Sequence, residues 1–493
     1  MPRPNFTAIT DEARIVLDNV LDIATGGGTP TVRLGVTGLS RAGKTVFISA
    51  LVHNLIHGGR LPLFDAHAEG RLVEAHLMPQ PDDDVPRFDY ESHVADLTDK
   101  RIWPSSTRRI SELRLTIQYE SAWMLKRALG RGRLNLDIVD YPGEWLLDLA
   151  LLRKSYAEWS AQVIAASRQT HRSGLAAAWH AGLVGADPTA SESEEMARGL
   201  AEAFTVYLQT VRSQEHALSA FTPGRFLMPG DLAGSPALTF SPLDISADYS
   251  STRDTLAAMM ERRYEAYKTH VVTPFFRDHF ARLDRQIVLV DMLATLNGGS
   301  TALRDLEQTL TDVLGAFRPG RASWLRSILT RRIDRILFAA TKADHVHHND
   351  HDRLAHLLGW VVRRATERVA SVGGEMLILP IAAVRATQEV SIKRDGDRLP
   401  GIAGVPLVGE RIGGEIYDGE KEIALFPGDL PEDPEAIFNI SEEGYALANE
   451  MPAVRFLRFR PPRLERTSEG VTLSLPHIRL DQALQYLIGD KLA

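Results

Sequence analysis

"GLSRAGKT", Gly38 to Thr45, lies between the apolar run "TVRLGVT" and the run "VFISALVHNLIH". Val32, Leu34 and Val36 read as a buried strand, and Phe47, Ile48, Leu51 and Leu55 recur at helical spacing. A glycine, four residues, then Gly43, Lys44 and Thr45 between a strand and a helix is the Walker A spacing. The physics behind it is specific. Glycines let successive backbone N–H groups turn inward around phosphate oxygens, a lysine reaches the outer phosphates as a point charge, and a threonine hydroxyl ligates Mg²⁺. The helix N-terminus adds its partial positive charge. Gly38, Ser40, Arg41, Ala42, Gly43, Lys44, Thr45 and Val46 are therefore the expected phosphate cradle. The bland alternative is a glycine turn between strand and helix.

Further along the chain, "LDIVDYPGEW" ends an apolar run at Asp140 and turns at Pro142 and Gly143. An acid near the Mg²⁺ shell and a glycine whose N–H meets the γ-phosphate are what a GTPase needs here. "AATKADH" then presents Thr341, Lys342, Ala343 and Asp344 at the end of another strand-like run, the guanine-specificity pattern with Thr in first place. A carboxylate at Asp344 accepts from N1–H and the exocyclic amine of guanine, whereas adenine offers an acceptor at N1 and no amine at C2. The aliphatic stem of Lys342 covers the base. After the next run, "PIAAVRAT" offers backbone N–H groups at Ala383 and Val384 to guanine O6.

Other candidates compete with these. "RIWPSSTRRI" holds Thr107 as the switch threonine for Mg²⁺, with Ser105 and Ser106 as rivals, and Arg101, Arg108 and Arg109 as candidate cis-acting arginines. Arg101 is the favoured one; an exposed basic turn is the alternative. "VLVD", ending at Asp291, rivals Asp140 as the metal-side acid, but the Pro–Gly turn favours Asp140. "DHVHHNDH" gathers His345, His347, His348 and His351; a solvated helix start capped by Asn349 or Asp350 is preferred over a metal site.

The chain has 493 residues, enough for two to four domains, and 44% hydrophobic with 24% charged residues is an ordinary globular composition. A net charge of −8 gives no basic footprint for nucleic acid. With no cysteine there are no disulfides, thiolate nucleophiles or Cys-based zinc sites, which fits a reducing, cytoplasmic setting. No secretory leader and no spanning helix are expected. Ala13, Val16, Leu17, Val20 and Leu21 form a helical stripe whose polar face carries Asp18 and Asp22, so it is expected to pack on the protein itself.

Strand-like runs at 32–37, 111–120, 133–140, 285–293, 332–341 and 375–384 alternate with helical patterns, the signature of an α/β domain with a largely parallel sheet. The short segment around "ALGRGR" makes the second and third strands an antiparallel pair. Residues 58–107 read as irregular and loop-rich, 146–283 as mainly helical, and 386–475 as a turn-rich β pattern. The closing "RLDQALQYLIGDKL" is amphipathic, and placing it on the sheet supplies the helix still owed after the sixth strand.

Taken together, "GLSRAGKT", "DYPGEW", "ATKADHV", "VLVDMLATLNGG" and "VPLVGERIGGEIYDGE" make the chain resemble the YcjX-type family of bacterial P-loop proteins over nearly its whole length. The resemblance implies a stress-associated GTP-binding protein with a Ras-like domain, a helical insertion and a β-rich part, and a membrane protein as partner. It carries binding roles to Gly38, Gly43, Lys44, Thr45, Asp140, Gly143, Lys342 and Asp344. Glu144 stands where many GTPases have Gln or His, so hydrolysis with Lys44, Glu144 and Arg101 as catalytic residues is expected to be slow. The expected architecture is a Ras-like P-loop domain from 1–145, 284–385 and 476–493, interrupted by a helical insertion at 146–283 and a β-rich insertion at 386–475. The expected ligands are GTP or GDP with Mg²⁺, the protein acting as a nucleotide-controlled switch, cytoplasmic or peripheral at the inner membrane. A P-loop ATPase or kinase, and a nucleotide-stabilised scaffold, are the alternatives.

Overall fold

In a computed structural model the chain is described at residues 29–39, 41–105, 109–123, 127, 130–213, 222–227, 229, 232, 234–316, 333–368, 375–394, 397–412, 414–434, 456–464 and 474–493. The helical stripe expected at 13–21 lies outside these residues. At the centre is a seven-stranded sheet built from β1 (Thr31–Gly38), β2 (Leu72–Met78), β3 (Ser111–Tyr119), β4 (Gly132–Asp140), β5 (Arg285–Val290), β6 (Arg335–Ala340) and β7 (Glu375–Pro380). The order across it is β2-β3-β4-β1-β5-β6-β7. From β4 to β7 every pairing is parallel, while β2 and β3 join antiparallel. All six residues of β5 are buried, as a strand covered on both faces must be.

One correction falls in the stretch read as loop-rich. Residues 72–78 pair with β3 as the edge strand β2. Its sequence "LVEAHLM" buries only Ala75, so it shows no alternation of apolar and polar faces; its place is set by β3 beside it rather than by its own pattern. Two strands also stop earlier than expected. β5 ends at Val290 because the Asp291 side chain accepts the Ala294 N–H and starts a helix, Met292–Asn297. β7 ends at Pro380, which frees residues 381–384 to turn over the top of the sheet.

The first helix, α1 (Lys44–Ile56), follows β1 directly and is buried along most of its length against one face of the sheet. The closing helix, α2 (Leu480–Ile488), lies on the same side. Leu480, Leu484, Leu487 and Ile488 pack with Ile287 and Leu337 of β5 and β6. Each fully buried leucine of that kind stabilises by roughly 1.5–3 kcal/mol. Buried Arg285 locks the helix end: its guanidinium donates to Leu487 O and pairs with Asp490. This is a Ras-like P-loop α/β fold with extra helices and a small antiparallel sheet.

Between β4 and β5 the chain folds into helices around an aromatic-rich core. Trp159, Trp179, Phe204, Tyr207, Phe240, Tyr264 and Tyr267 are nearly all fully buried, and Trp159 stacks on Tyr264 with ring centroids 5.1 Å apart. The same core takes in Tyr141, Trp145 and Leu146, directly after β4, so it is continuous with that segment. After β7, strands β8 (Gln388–Arg394), β9 (Asp397–Gly404) and β12 (Ile423–Leu425) form an antiparallel sheet, with β10 (Arg411–Ile412) and β11 (Glu415–Ile416) as a small hairpin. Residues 456–461 then run back across the top of the central sheet, bridging at Phe459 to Pro406.

Candidate functional site

A cavity of about 330 Å³ opens at the carboxyl ends of the parallel strands. Its floor at one end is the turn from β1 into α1. Gly43, with φ 83°, and Arg41, with φ 62°, take the left-handed backbone that curls this turn; at Gly43 the absence of Cβ makes that conformation inexpensive. Gly38, Arg41, Ala42, Gly43, Lys44, Thr45 and Val46 all line the cavity; Ser40 lies outside the described residues.

Lys44 Nζ stands 2.6 Å from the Asp140 carboxylate and donates to Tyr141 O at 2.7 Å. Asp140 is completely buried, and its Oδ2 has no hydrogen-bond partner among the described residues. Thr37 Oγ1, buried nearby, is in the same condition. Buried polar atoms normally find partners, so a cluster without them marks a place where a ligand would complete the set. A buried carboxylate with a spare oxygen, linked through Lys44 to the start of α1 where Thr45 stands, offers the kind of oxygen donor that a hard divalent cation takes.

Gly143 closes this end of the cavity. A Cβ there would sit 2.4 Å from Gly38 O, so only glycine permits the two turns to touch. The next residue, Glu144, pairs with Arg212 at 3.0 Å, and both line the cavity. Arg212 comes from the last turn of α3 (Glu194–Ser213), deep in the helical insertion. Nothing in its local sequence marked it; 68 residues separate it from Glu144, and only the fold brings the two together.

The opposite end is walled by Thr341, Lys342, Asp344 and residues 381–384. Lys342 takes a left-handed φ of 60° and pairs with Asp291, which places Asp291 away from Asp140 and Lys44 as the partner of the second lysine. Asp344 is 4% exposed; its Oδ2 accepts the Ala386 N–H at 2.7 Å, and its backbone carbonyl accepts from the Thr387 hydroxyl. The roof is supplied by Leu407, Arg458 and Phe459 from the β-rich part and by Trp103 and Pro104. None of these was legible as a site residue.

The segment before β3 departs from expectation. Arg101 donates through Nε and Nη2 to Pro461 O, and Arg460 donates to Arg101 O. Trp103 Nε1 donates to Phe459 O at 2.6 Å. Arg101 is thus turned to the β-rich part and does not line the cavity; its left-handed φ of 53° and the waiting Pro461 carbonyl direct it there. Ser105 and Arg109 are exposed, while Ser106, Thr107 and Arg108 lie outside the described residues. The histidine run is also not simply a solvated helix start. His345 and His351 are buried, which holds both imidazoles below their ordinary pKa, and His351 donates to Ala343 O. Asp350 is buried too, accepting from Leu430 N–H and pairing with Arg353 instead of capping the helix. His347 and His348 gather around Glu389, three groups whose ligand atoms lie within 4.8 Å of one another.

Helix α4 (Gly143–Asp148), which begins at the glycine pressed against Gly38, is bolted to the helical insertion by a buried carboxylate. Asp148 accepts from Gly224 N–H and from the Tyr267 hydroxyl, and Arg225 stacks 3.3 Å over Trp145. Burial drives the Asp148 carboxyl up from 3.8 to about 7. Because the folded pKa is raised, the folded state holds an extra proton between those values, and stability is lost as pH rises from about 4 towards 7. Asp148→Asn is therefore expected to be more stable than wild type at pH 8, by on the order of 2–4 kcal/mol read from denaturation midpoints, with the gap closing by pH 4. Parallel midpoints across that range would show that Asp148 does not titrate as buried.

Residues 32–492 match the YcjX-like family. Among curated proteins, the chain is 38% identical over 472 residues to the Ras-like GTPase YcjX of Escherichia coli (strain K12), covering 94% of this chain and 96% of that protein. It is 35% identical over 483 residues to the Ras-like GTPase YcjX of Shewanella oneidensis (strain MR-1), covering 94% of each.

Proposed function

The chain belongs to the YcjX-like family, and on that premise we propose that it binds and slowly hydrolyses GTP with Mg²⁺, acting as a nucleotide-controlled switch. The observation that carries this reading is one cavity with a glycine-framed lysine at one end and a buried carboxylate, Asp344, at the other. Phosphates belong where the N–H groups of Gly43 to Val46 and the Lys44 ammonium converge. Guanine belongs beside Asp344, whose Oδ2 is held by Ala386 and whose other oxygen would meet the ring donors.

Thr45 and Asp140 would hold the Mg²⁺, which supplies neutralisation of phosphate charge in the transition state. Lys44, already placed by Asp140 and Tyr141 O, presents its charge to the outer phosphates. Gly143, pressed against Gly38, is set to sense the γ-phosphate through its N–H, and Glu144 after it is the candidate for orienting the attacking water. Because α4 shares the core of the helical insertion, a movement of Gly143 is passed to that whole body. The proposal extends to what the sequence resemblance implies: a stress-associated, cytoplasmic protein working with a membrane-protein partner. Among the described residues no helix is long and apolar enough to cross a membrane.

Base choice tests the reading. GTP is expected to be preferred over ATP by at least about a thousandfold in a competition titration, because adenine leaves the Asp344 acceptor unmatched. Equal affinity, or a preference for ATP, would return the site to the ATPase or kinase reading.

A further inference from the structure

Arg212 sits on the cavity wall beside Glu144, yet it belongs to the helical insertion and no role in the site has been given to it. Three observations converge on it. Its side chain is two-thirds withdrawn from solvent, and Glu144 is more deeply buried still, so this is a site inside a cleft and not a surface pair. Its partner is the residue directly after Gly143, the glycine that touches the phosphate loop at Gly38. The insertion is also seated tightly at this point: a Cβ on Gly224 would lie 2.3 Å from Glu144 O. Arg212 therefore reaches the phosphate end of the cavity, whereas Arg101 is engaged with Pro461 on the other body.

We propose that Arg212 is a catalytic arginine supplied in cis by the helical insertion, held in reserve by Glu144 until a γ-phosphate is present. The assignment rests on the GTPase reading above. Glu144 neutralises Arg212 in the structure seen here, so the two side chains keep each other from their tasks. A γ-phosphate carries more negative charge than one carboxylate and competes for the guanidinium. When Arg212 turns to it, Glu144 is released towards the attacking water. In the step itself a water oxygen bonds to the γ-phosphorus as the bond from that phosphorus to the β,γ-bridging oxygen breaks. The electron pair leaves on the β-phosphate of GDP, and the water's proton goes to the departing phosphate. Arg212 neutralises the charge gathering on the bridging and γ oxygens, which it does only while the insertion is docked. Hydrolysis in this protein thus reports the position of the helical insertion.

The test uses the full chain and three proteins: wild type, Arg212→Ala and Arg212→Lys. Fluorescent-nucleotide titration gives GDP and GTP affinity, phosphate release gives single-turnover hydrolysis, and capture of the transition-state mimic GDP–aluminium fluoride gives a readout that a merely structural arginine would not move. Both variants are expected to bind GDP within about threefold of wild type, to hydrolyse GTP about 100-fold or more slowly, and to lose aluminium fluoride capture. Arg212→Lys keeps the charge and the ion pair with Glu144, so a loss there tracks the bidentate guanidinium and not a folding defect. Hydrolysis or capture unchanged in both variants overturns the assignment. Wild-type protein that holds GTP without measurable turnover overturns it as well. Failure of the wild type to bind GTP is a different result, the failure of the GTPase reading itself.

Discussion

Asp344→Asn is expected to weaken GTP binding by about 2–4 kcal/mol and to raise the affinity for xanthosine triphosphate, with Mg²⁺ dependence retained. The structure gives this exchange a defined direction. Asp344 Oδ2 accepts the Ala386 N–H, and an asparagine keeps that bond with its amide oxygen. Its NH₂ group is then the atom set facing the base. Guanine presents two donors at that edge, so donor meets donor; xanthine presents a carbonyl at C2, which accepts. Retention of the Ala386 bond also protects the fold, since the loop over the base keeps its anchor. Competition titration of both triphosphates against wild type and variant decides the matter. A variant that binds GTP as the wild type does removes Asp344 from base recognition.

Lys44→Ala is expected to act twice. It removes the charge that faces the phosphates, weakening GDP binding by roughly 2–4 kcal/mol. It also strands Asp140, which is fully buried and pairs with Lys44 at 2.6 Å. Breaking a buried pair from one side costs about 3–5 kcal/mol because the remaining charge is uncompensated. The nucleotide-free variant should therefore unfold at a clearly lower temperature than wild type. Adding Asp140→Asn removes the stranded charge and is expected to restore most of the unfolding midpoint while leaving the nucleotide defect in place. That separation is the useful readout: a double variant no more stable than Lys44→Ala would show that the pair does not carry the loss.

Much of this arrangement was legible in the chain because it depends on local chemistry. The strand–glycine turn–helix at 31–56 and the strand ends at Asp140 and Thr341 declare themselves through apolar runs broken by residues with one physical use. β2 was missed for the opposite reason. An edge strand that buries a single residue leaves no periodic trace, and its register is dictated by β3. Arg101 was expected at the cavity because a basic turn ahead of a strand looks catalytic in one dimension, while the carbonyl it donates to, on Pro461, is 360 residues away. Arg212 and the roof residues Leu407 and Phe459 were silent for the same reason: their role exists only through long-range placement. An arginine at the end of an amphipathic helix is the commonest of solvated residues, and no spacing rule distinguishes the one that reaches a cleft.

The roof of the cavity has a consequence for time rather than for affinity. Its floor and its cover belong to separate stretches of chain, and the cover is stitched to the segment before β3 by Trp103 on Phe459 O and Arg101 on Pro461 O. A ligand beneath such a cover would be flanked by the 456–461 crossing as well as by its own contacts, and lifting of that crossing would widen its way out. Slow lifting would then lengthen its stay without any change in the contacts that hold it. The same hydrogen bonds tie the crossing to the segment before β3, so the two walls would move as one.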